Sequence, residues 1–222
     1  MRVLGIETST RRGSVAAVLD GTTLGAFAHE APNEHAERVL ALIEVLLAEV
    51  GWSRTSLDRI AVGIGPGSFT GLRVGIALAQ GIALGLERPL VGVGSLQALA
   101  SAVAATDARV RVPVLDARRG ELFIAAYDAT GTELLAPSAV PVGEAGAFVR
   151  ESVAGELVLV GEAAHLVGTG FDVLSGGELD LPHASTVARA GATLDPATAP
   201  VEPVYVRGPG ATPQNLPPSP LA

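Results

Sequence analysis

The sequence predicts an α/β chain made of two related halves, and three observations carry that reading. Residues 2–105 read as the element order β-β-β-α-β-α-β-α. Near Asp107-Ala108 the pattern restarts with strands joined by polar turns, as a shortened repeat in element order rather than in residues. Each half opens with strands close enough in sequence to pair antiparallel, the first across the hairpin signal Asp20-Gly21.

Taken in order, Arg2 to Glu7 is an apolar strand that ends in Glu7-Thr8-Ser9-Thr10, and Arg11-Arg12-Gly13 turns the chain. Ser14 to Leu19 and Thr22 to Glu30 complete a meander. Asn33 is placed to cap a helix from about Glu34 to Val50, whose Val39, Ile43, Leu46, Leu47 and Val50 recur at helical spacing. Leu57 to Ile64 returns to the sheet. Gly65-Pro66-Gly67 then reads as a type II turn, with the positive φ expected at Gly67. Ser68 or Thr70 is a capping candidate for a helix to about Leu86. That helix is apolar around most of its circumference, and Gly71, Gly75, Gly81 and Gly85 fall in two pairs four apart. Glycine weakens a helix by roughly 1 kcal/mol relative to alanine, so four of them point to a close backbone approach. Leu90 to Val93 is a strand, and Ser95 is expected to cap a helix through about Ala105.

In the second half, strands are expected at Val110 to Leu115, Glu121 to Tyr127, Ala139 to Val142 and Leu157 to Val160. Helices are expected from Glu144 to about Ser152 and from Ser185 to Ala192. The expected division is 1–108, 109–207 and a disordered tail, 208–222, too rich in Gly, Pro and small polar residues to bury a core.

Composition narrows the function. The 222 residues carry a formal charge of −8, which disfavours autonomous nucleic-acid binding. The absence of cysteine excludes disulfides, thiolate catalysis and Cys-type zinc sites. No uninterrupted apolar run reaches the ~18 residues of a membrane span, and Met1-Arg2 leads straight into a strand. A cytoplasmic protein without a membrane partner is the expectation.

The common enzyme templates each lack a part. The glycine-rich turn has no dinucleotide fingerprint, and Gly71-Leu72-Arg73 replaces the Gly-Lys-Ser/Thr of a phosphate loop. Thr8, Ser9 and Thr10 at a strand end have the placement of a phosphate-gripping loop, with a polar hairpin as the equal alternative. His29, His35, His165 and His183 include no pair spaced i, i+4 for a metal. Asp116 and Glu121 flank Arg118 and Arg119 as an ion-paired hairpin rather than an acid–base pair. No serine stands in a hydrolase elbow.

The run Gly65-Pro-Gly-Ser-Phe-Thr-Gly-Leu-Arg73, with Pro89-Leu-Val-Gly-Val-Gly-Ser-Leu-Gln-Ala-Leu99, closely resembles the TsaB (YeaZ) family. Looser matches are Glu7-Thr8-Ser9-Thr10, His35-Ala-Glu-Arg38, Asp116-Ala-Arg-Arg-Gly-Glu121 and Pro203-Val-Tyr-Val-Arg207, so the likeness runs from Met1 to Arg207. It departs at Glu7, where the family usually has aspartate. The resemblance implies two actin-like (ASKHA, RNase H-like) lobes, each a mixed sheet opening with an antiparallel meander, the second reduced. It also implies a part in making N6-threonylcarbamoyladenosine at position 37 of tRNA. In the related TsaD family two metal-binding histidines lie four apart. Those places fall here on Ser95 and Leu99, one a poor ligand and the other none.

The function expected on this basis is a non-catalytic scaffold with no cofactor and no metal. It would dimerise with a TsaD-type catalytic subunit through the helices at 34–50 and 70–86. Val39, Ile43, Leu72 and Ile76 would supply apolar contact, with Thr70 and Ala79 beside them. Gly71 and Gly75 would admit the facing helix, and His35 and Arg73 would form the rim. A TsaE-type ATPase would join the pair, tRNA would be met only through the complex, and the isolated chain would form a homodimer. The competing expectations are a peptidase related to the glycoproteases and a tRNA-binding module using Arg11, Arg12, Arg118 and Arg119.

Overall fold

The structure, a computed structural model, describes residues 1–30 and 35–206, except for the side chains of residues 35 and 36. The expected cap Asn33 and the tail from residue 208 lie outside the described residues. The strands of the first half are β1 (Arg2–Glu7), β2 (Gly13–Leu19), β3 (Thr22–His29), β4 (Arg59–Gly63) and β5 (Leu90–Val93). Those of the second are β6 (Val110–Arg118), β7 (Glu121–Tyr127), β8 (Glu133–Pro141), β9 (Leu157–Val160) and β10 (Asp172–Leu174). The helices are α1 (His35–Glu49), α2 (Phe69–Leu86), α3 (Ser95–Ala100), α4 (Ala145–Ser152) and α5 (Ala184–Thr193).

Each half forms a five-stranded sheet, ordered β3-β2-β1-β4-β5 and β10-β9-β6-β7-β8. Read from its own first strand, the second order repeats the first. In both, a three-stranded antiparallel meander continues into two parallel strands. This is the two-lobed, mixed-sheet arrangement expected. Strand β10 and most of β8 go beyond the sequence reading. The first is a three-residue edge strand, and the second is exposed or half-buried along most of its length and contains Pro137.

The lobes are not independent stretches of chain. Helix α3 follows the first sheet but packs Leu96 and Leu99 on Leu115, Phe123 and Val160 of the second. Helix α5 follows the second sheet but packs Val187 and Ala188 on Val3, Val18, Ala61 and Val91 of the first. Beyond α5, the Gly92 N–H donates to Ala199 O and the Val204 N–H donates to Ile64 O, tying the last described residues to the first lobe. The division near residue 108 therefore separates the sheets, while the chain from α5 onward belongs physically with the first.

The opposite face of the first sheet carries α1 and α2. Val39, Ile43, Leu46 and Leu47 of α1 and Ile76, Ala79 and Ala83 of α2 interleave with Leu4, Ile6, Val15 and Val62. The Ser68 Oγ accepts from the Gly71 N–H at 3.2 Å, making Ser68 the cap of α2, and Glu87 closes the helix in the left-handed region. In the preceding turn the positive φ, 98°, belongs to Gly65 and not to Gly67, so the turn is not type II.

The four helical glycines split into two kinds. A Cβ on Gly71 or Gly75 would collide with Thr8, whereas Gly81 and Gly85 face open space. Gly75→Ala is therefore expected to lower stability by about 1–3 kcal/mol through overpacking. Gly81→Ala and Gly85→Ala should each raise it, by up to about 1 kcal/mol, through helix propensity. Urea denaturation of the three variants checks the opposite signs.

Candidate functional site

Two places on the first lobe bear on function. One is the buried junction where the end of β1, the turn after β4 and the start of α3 meet. The other is the outward face of α1 and α2.

At the junction the Glu7 side chain is fully buried over Gly63, where any Cβ would strike its carboxylate. The Ser9 N–H donates to Glu7 Oε1 at 2.5 Å and the Ser95 hydroxyl donates to Oε2 at 3.0 Å. Ser95 Oγ in turn accepts from the Gly65 N–H at 3.1 Å. Ser95 is thus not the cap of α3. Gly94 holds the cap position and the serine turns inward to Glu7. Thr8 Oγ1 donates to Gly71 O at 2.8 Å, and the Ser68 N–H donates to Ser9 O at 2.6 Å.

This network decides the phosphate reading of Thr8, Ser9 and Thr10. Thr8 and Ser9 are buried, and Thr10 Oγ1 is half-buried and bonds back to Arg12. The N–H groups of Ser9, Gly65, Ser68 and Gly71 that would face an anion already have acceptors within the chain. A carboxyl group, itself acidic, fills the space. The residues present do not fit a phosphate. They do not fit the TsaD-type metal either. Ser95 is committed to Glu7, Leu99 is buried in apolar packing, and no cluster of three ligand-type side chains occurs among the described residues.

Burial pushes the Glu7 carboxyl above its ordinary value of 4.5, and hydrogen bonds from Ser9, Ser95 and the Thr8 backbone pull it part of the way back. The folded chain thus binds this proton more tightly than the unfolded chain. Stability contributed below pH 4.5 is lost as pH rises toward the folded value. Glu7→Gln keeps the shape and removes the titration, so its urea midpoint should change less between about pH 5 and about pH 8 than the parent's.

On the outward face, the residues expected to meet a partner separate by direction. Val39, Ile43, Leu72, Gly75, Ile76 and Ala79 are buried in the chain's own core, with Ile76 at 6% exposure. Gly71 and Gly75 are notches, but for Thr8 of the same chain. Thr70 and Arg73 are exposed, and the side chain of His35 lies outside the described residues. The surface left open lies on the other arc of α2, where Ala77, Gly81, Leu84 and Gly85 are exposed, Leu84 at 82%. It adjoins a groove of about 230 Å³ between α1 and α2, floored by Leu4, Ile43 and Leu47 and walled by Leu40, Ile82 and Leu86. Among the described residues α2 is also the one helix long and apolar enough to cross a membrane, with mean hydropathy 1.5. Here one arc of it lies on the sheet instead. Periodicity missed this direction because α2 is apolar on both arcs.

The basic patch is largely neutralised. Arg11 pairs with Glu162, Arg12 with Glu30 at 3.4 Å and Arg118 with Asp116 at 3.1 Å across the expected ion-paired hairpin.

Comparison with known proteins fits this fold. The family model described as TsaD, tRNA N6-adenosine threonylcarbamoyltransferase, matches residues 22–152, more than half of the chain and the whole of α1 and α2. The tRNA threonylcarbamoyladenosine biosynthesis protein TsaB of Escherichia coli (strain K12) is 35% identical over 93% of this chain and 95% of its own length. YeaZ from Pseudomonas aeruginosa superposes with a TM-score of 0.73 at 29% identity, covering 92% of this chain and 99% of that one. The activator of 2-hydroxyisocaproyl-CoA dehydratase from Clostridium difficile, solved with bound ADPNP, shares the fold alone. Its TM-score is 0.51 at 13% identity, over 86% of this chain and 94% of that one. With a two-lobed actin-like fold and a curated relative matched along nearly its whole length, the chain belongs to the TsaB (YeaZ) family.

Proposed function

We propose that this chain is a non-catalytic subunit of the machinery that makes threonylcarbamoyladenosine in tRNA, and that it holds a TsaD-type catalytic subunit against α1 and α2. The observation that carries the reading is the apolar arc of α2. Leu84 stands almost wholly in solvent, beside glycines that leave room for another backbone and a groove floored by core leucines. A large apolar residue next to an open apolar groove marks a surface made to be covered.

The name carried by the Escherichia coli relative supports the biosynthetic setting. The match of the TsaD model across both helices supports a partner built on the same helix pair. The Ser95 and Leu99 side chains, where the catalytic family places metal ligands, support a subunit that assists rather than reacts. In this reading a TsaE-type ATPase joins the pair, tRNA is met through the complex, and the assembly works in the cytoplasm. The isolated chain pairs with itself through the same face, since an uncovered helix pair is self-complementary about a two-fold axis.

Ile76 is a poor probe of this interface, because an aspartate there would bury a charge in the chain's own core. Leu84→Asp is the better one. It should weaken binding of the TsaD-type subunit by roughly a hundredfold while leaving monomer stability within about 0.5 kcal/mol. Unchanged affinity in a pull-down and calorimetric titration would refute the docking face. Titration of the isolated chain with Mg-ATP or with a divalent transition metal should give no stoichiometric binding, and tight binding of either would refute the non-catalytic role.

A further inference from the structure

At the N-terminal end of α2, the end away from the groove, three side chains form a cluster that the docking face alone does not explain. The Arg73 guanidinium lies over the Phe69 ring, its Cζ 3.7 Å from the centroid. Its Nε–H donates to the Tyr205 hydroxyl at 3.2 Å. The Tyr205 ring in turn sits 5.5 Å from Phe69, centroid to centroid. All three are exposed, Phe69 at 54% and Tyr205 at 47%. No carboxylate among the described residues pairs with Arg73, whereas Arg11, Arg12, Arg54, Arg109, Arg118 and Arg189 each have one.

An arginine on a mobile stem loses rotamer freedom when it binds. One already stacked on an aromatic ring and tethered through Nε has lost most of that freedom in advance. Its two terminal NH₂ groups remain as a fixed fork, the geometry that matches a carboxylate with two parallel hydrogen bonds. The cluster lies on the same helix as Gly81 and Leu84. Arg73 is eleven residues from Leu84, roughly 16 Å along the axis, so one helix laid along α2 spans both.

We infer that Arg73, shelved on Phe69 and held by Tyr205, is a pre-set clamp for an Asp or Glu side chain on the helix of the TsaD-type partner. The clamp rests on the docking face proposed above. It adds orientation: apolar contact at Gly81–Leu84 supplies burial, while a single charged pair at the far end fixes which way the partner helix runs and which register it takes. The net charge of −8 adds selectivity, since an acidic surface disfavours a partner carboxylate that is not met by an arginine.

The test is equilibrium binding of the full chain to the purified TsaD-type subunit from the same organism, at low and at high salt. Arg73→Gln should weaken binding about tenfold at low salt and less at high salt, with the thermal midpoint of the isolated chain unchanged. Arg73→Lys should recover only part of the loss, because it keeps the charge but not the fork. Phe69→Ala should cost several-fold by freeing the arginine. If Leu84→Asp abolishes binding while Arg73→Gln leaves it intact, the clamp is overturned and the docking face stands. If neither variant changes affinity, both fall. A loss confined to self-association assigns the arginine to a second copy and overturns the clamp. A fall in thermal stability that matches the fall in affinity makes its role internal and overturns it equally.

Discussion

A single buried carboxyl group organises the first lobe. Glu7 ends β1 beneath Gly63 of β4, receives hydrogen bonds from Ser9 and Ser95, and so ties the first strand to the start of α3. The same loop feeds Thr8 and Ser9 into the N-terminal turn of α2. Four elements therefore meet on one polar node inside an apolar interior, where each unmade hydrogen bond would cost about 1–3 kcal/mol. Gly63, Gly71 and Gly75 fit that arrangement, since each leaves room for an atom of the node that a side chain would displace.

The node also sets which way the backbone N–H groups of this loop point. The backbone N–H groups that such a loop would offer to a phosphate are turned inward, to Glu7, Ser9, Ser68 and Ser95. The outer arc of α2 lies apart from this network. Its inner arc is fixed on the sheet by this network, so the helix presents a rigid apolar edge. A rigid edge loses little entropy when covered.

Much of this was legible in the sequence. The duplicated element order and the hairpins at Asp20-Gly21 and Arg118-Arg119-Gly120 follow from turn chemistry and strand length. The strand order repeats between halves as the element order suggests. Other features were hidden for physical reasons. Gly71 and Gly75 have the same spacing as Gly81 and Gly85, and only what lies opposite tells a filled notch from an open one. Leu72 and Leu84 are the same residue on the same helix, one fully buried and the other almost fully exposed, because periodicity cannot orient a helix apolar on both sides. Ser95 has the composition of a cap, but its hydroxyl has a carboxyl within reach. Phe69, Arg73 and Tyr205 meet across 132 positions of sequence separation, which no local pattern records.

The exchange of helices between the lobes has a consequence for synthesis. The face of the first sheet opposite α1 and α2 is sealed by α5 and by the segment that bonds to Gly92 and Ile64, and both follow the whole of the second sheet in sequence. Helices α1 and α2 are translated well before them, yet the sheet beneath stays bare on its underside until the second sheet and α5 have emerged. Completion of the first lobe is thereby delayed past synthesis of the second sheet, and a chain cut short of α5 would carry α1 and α2 on a half-supported sheet.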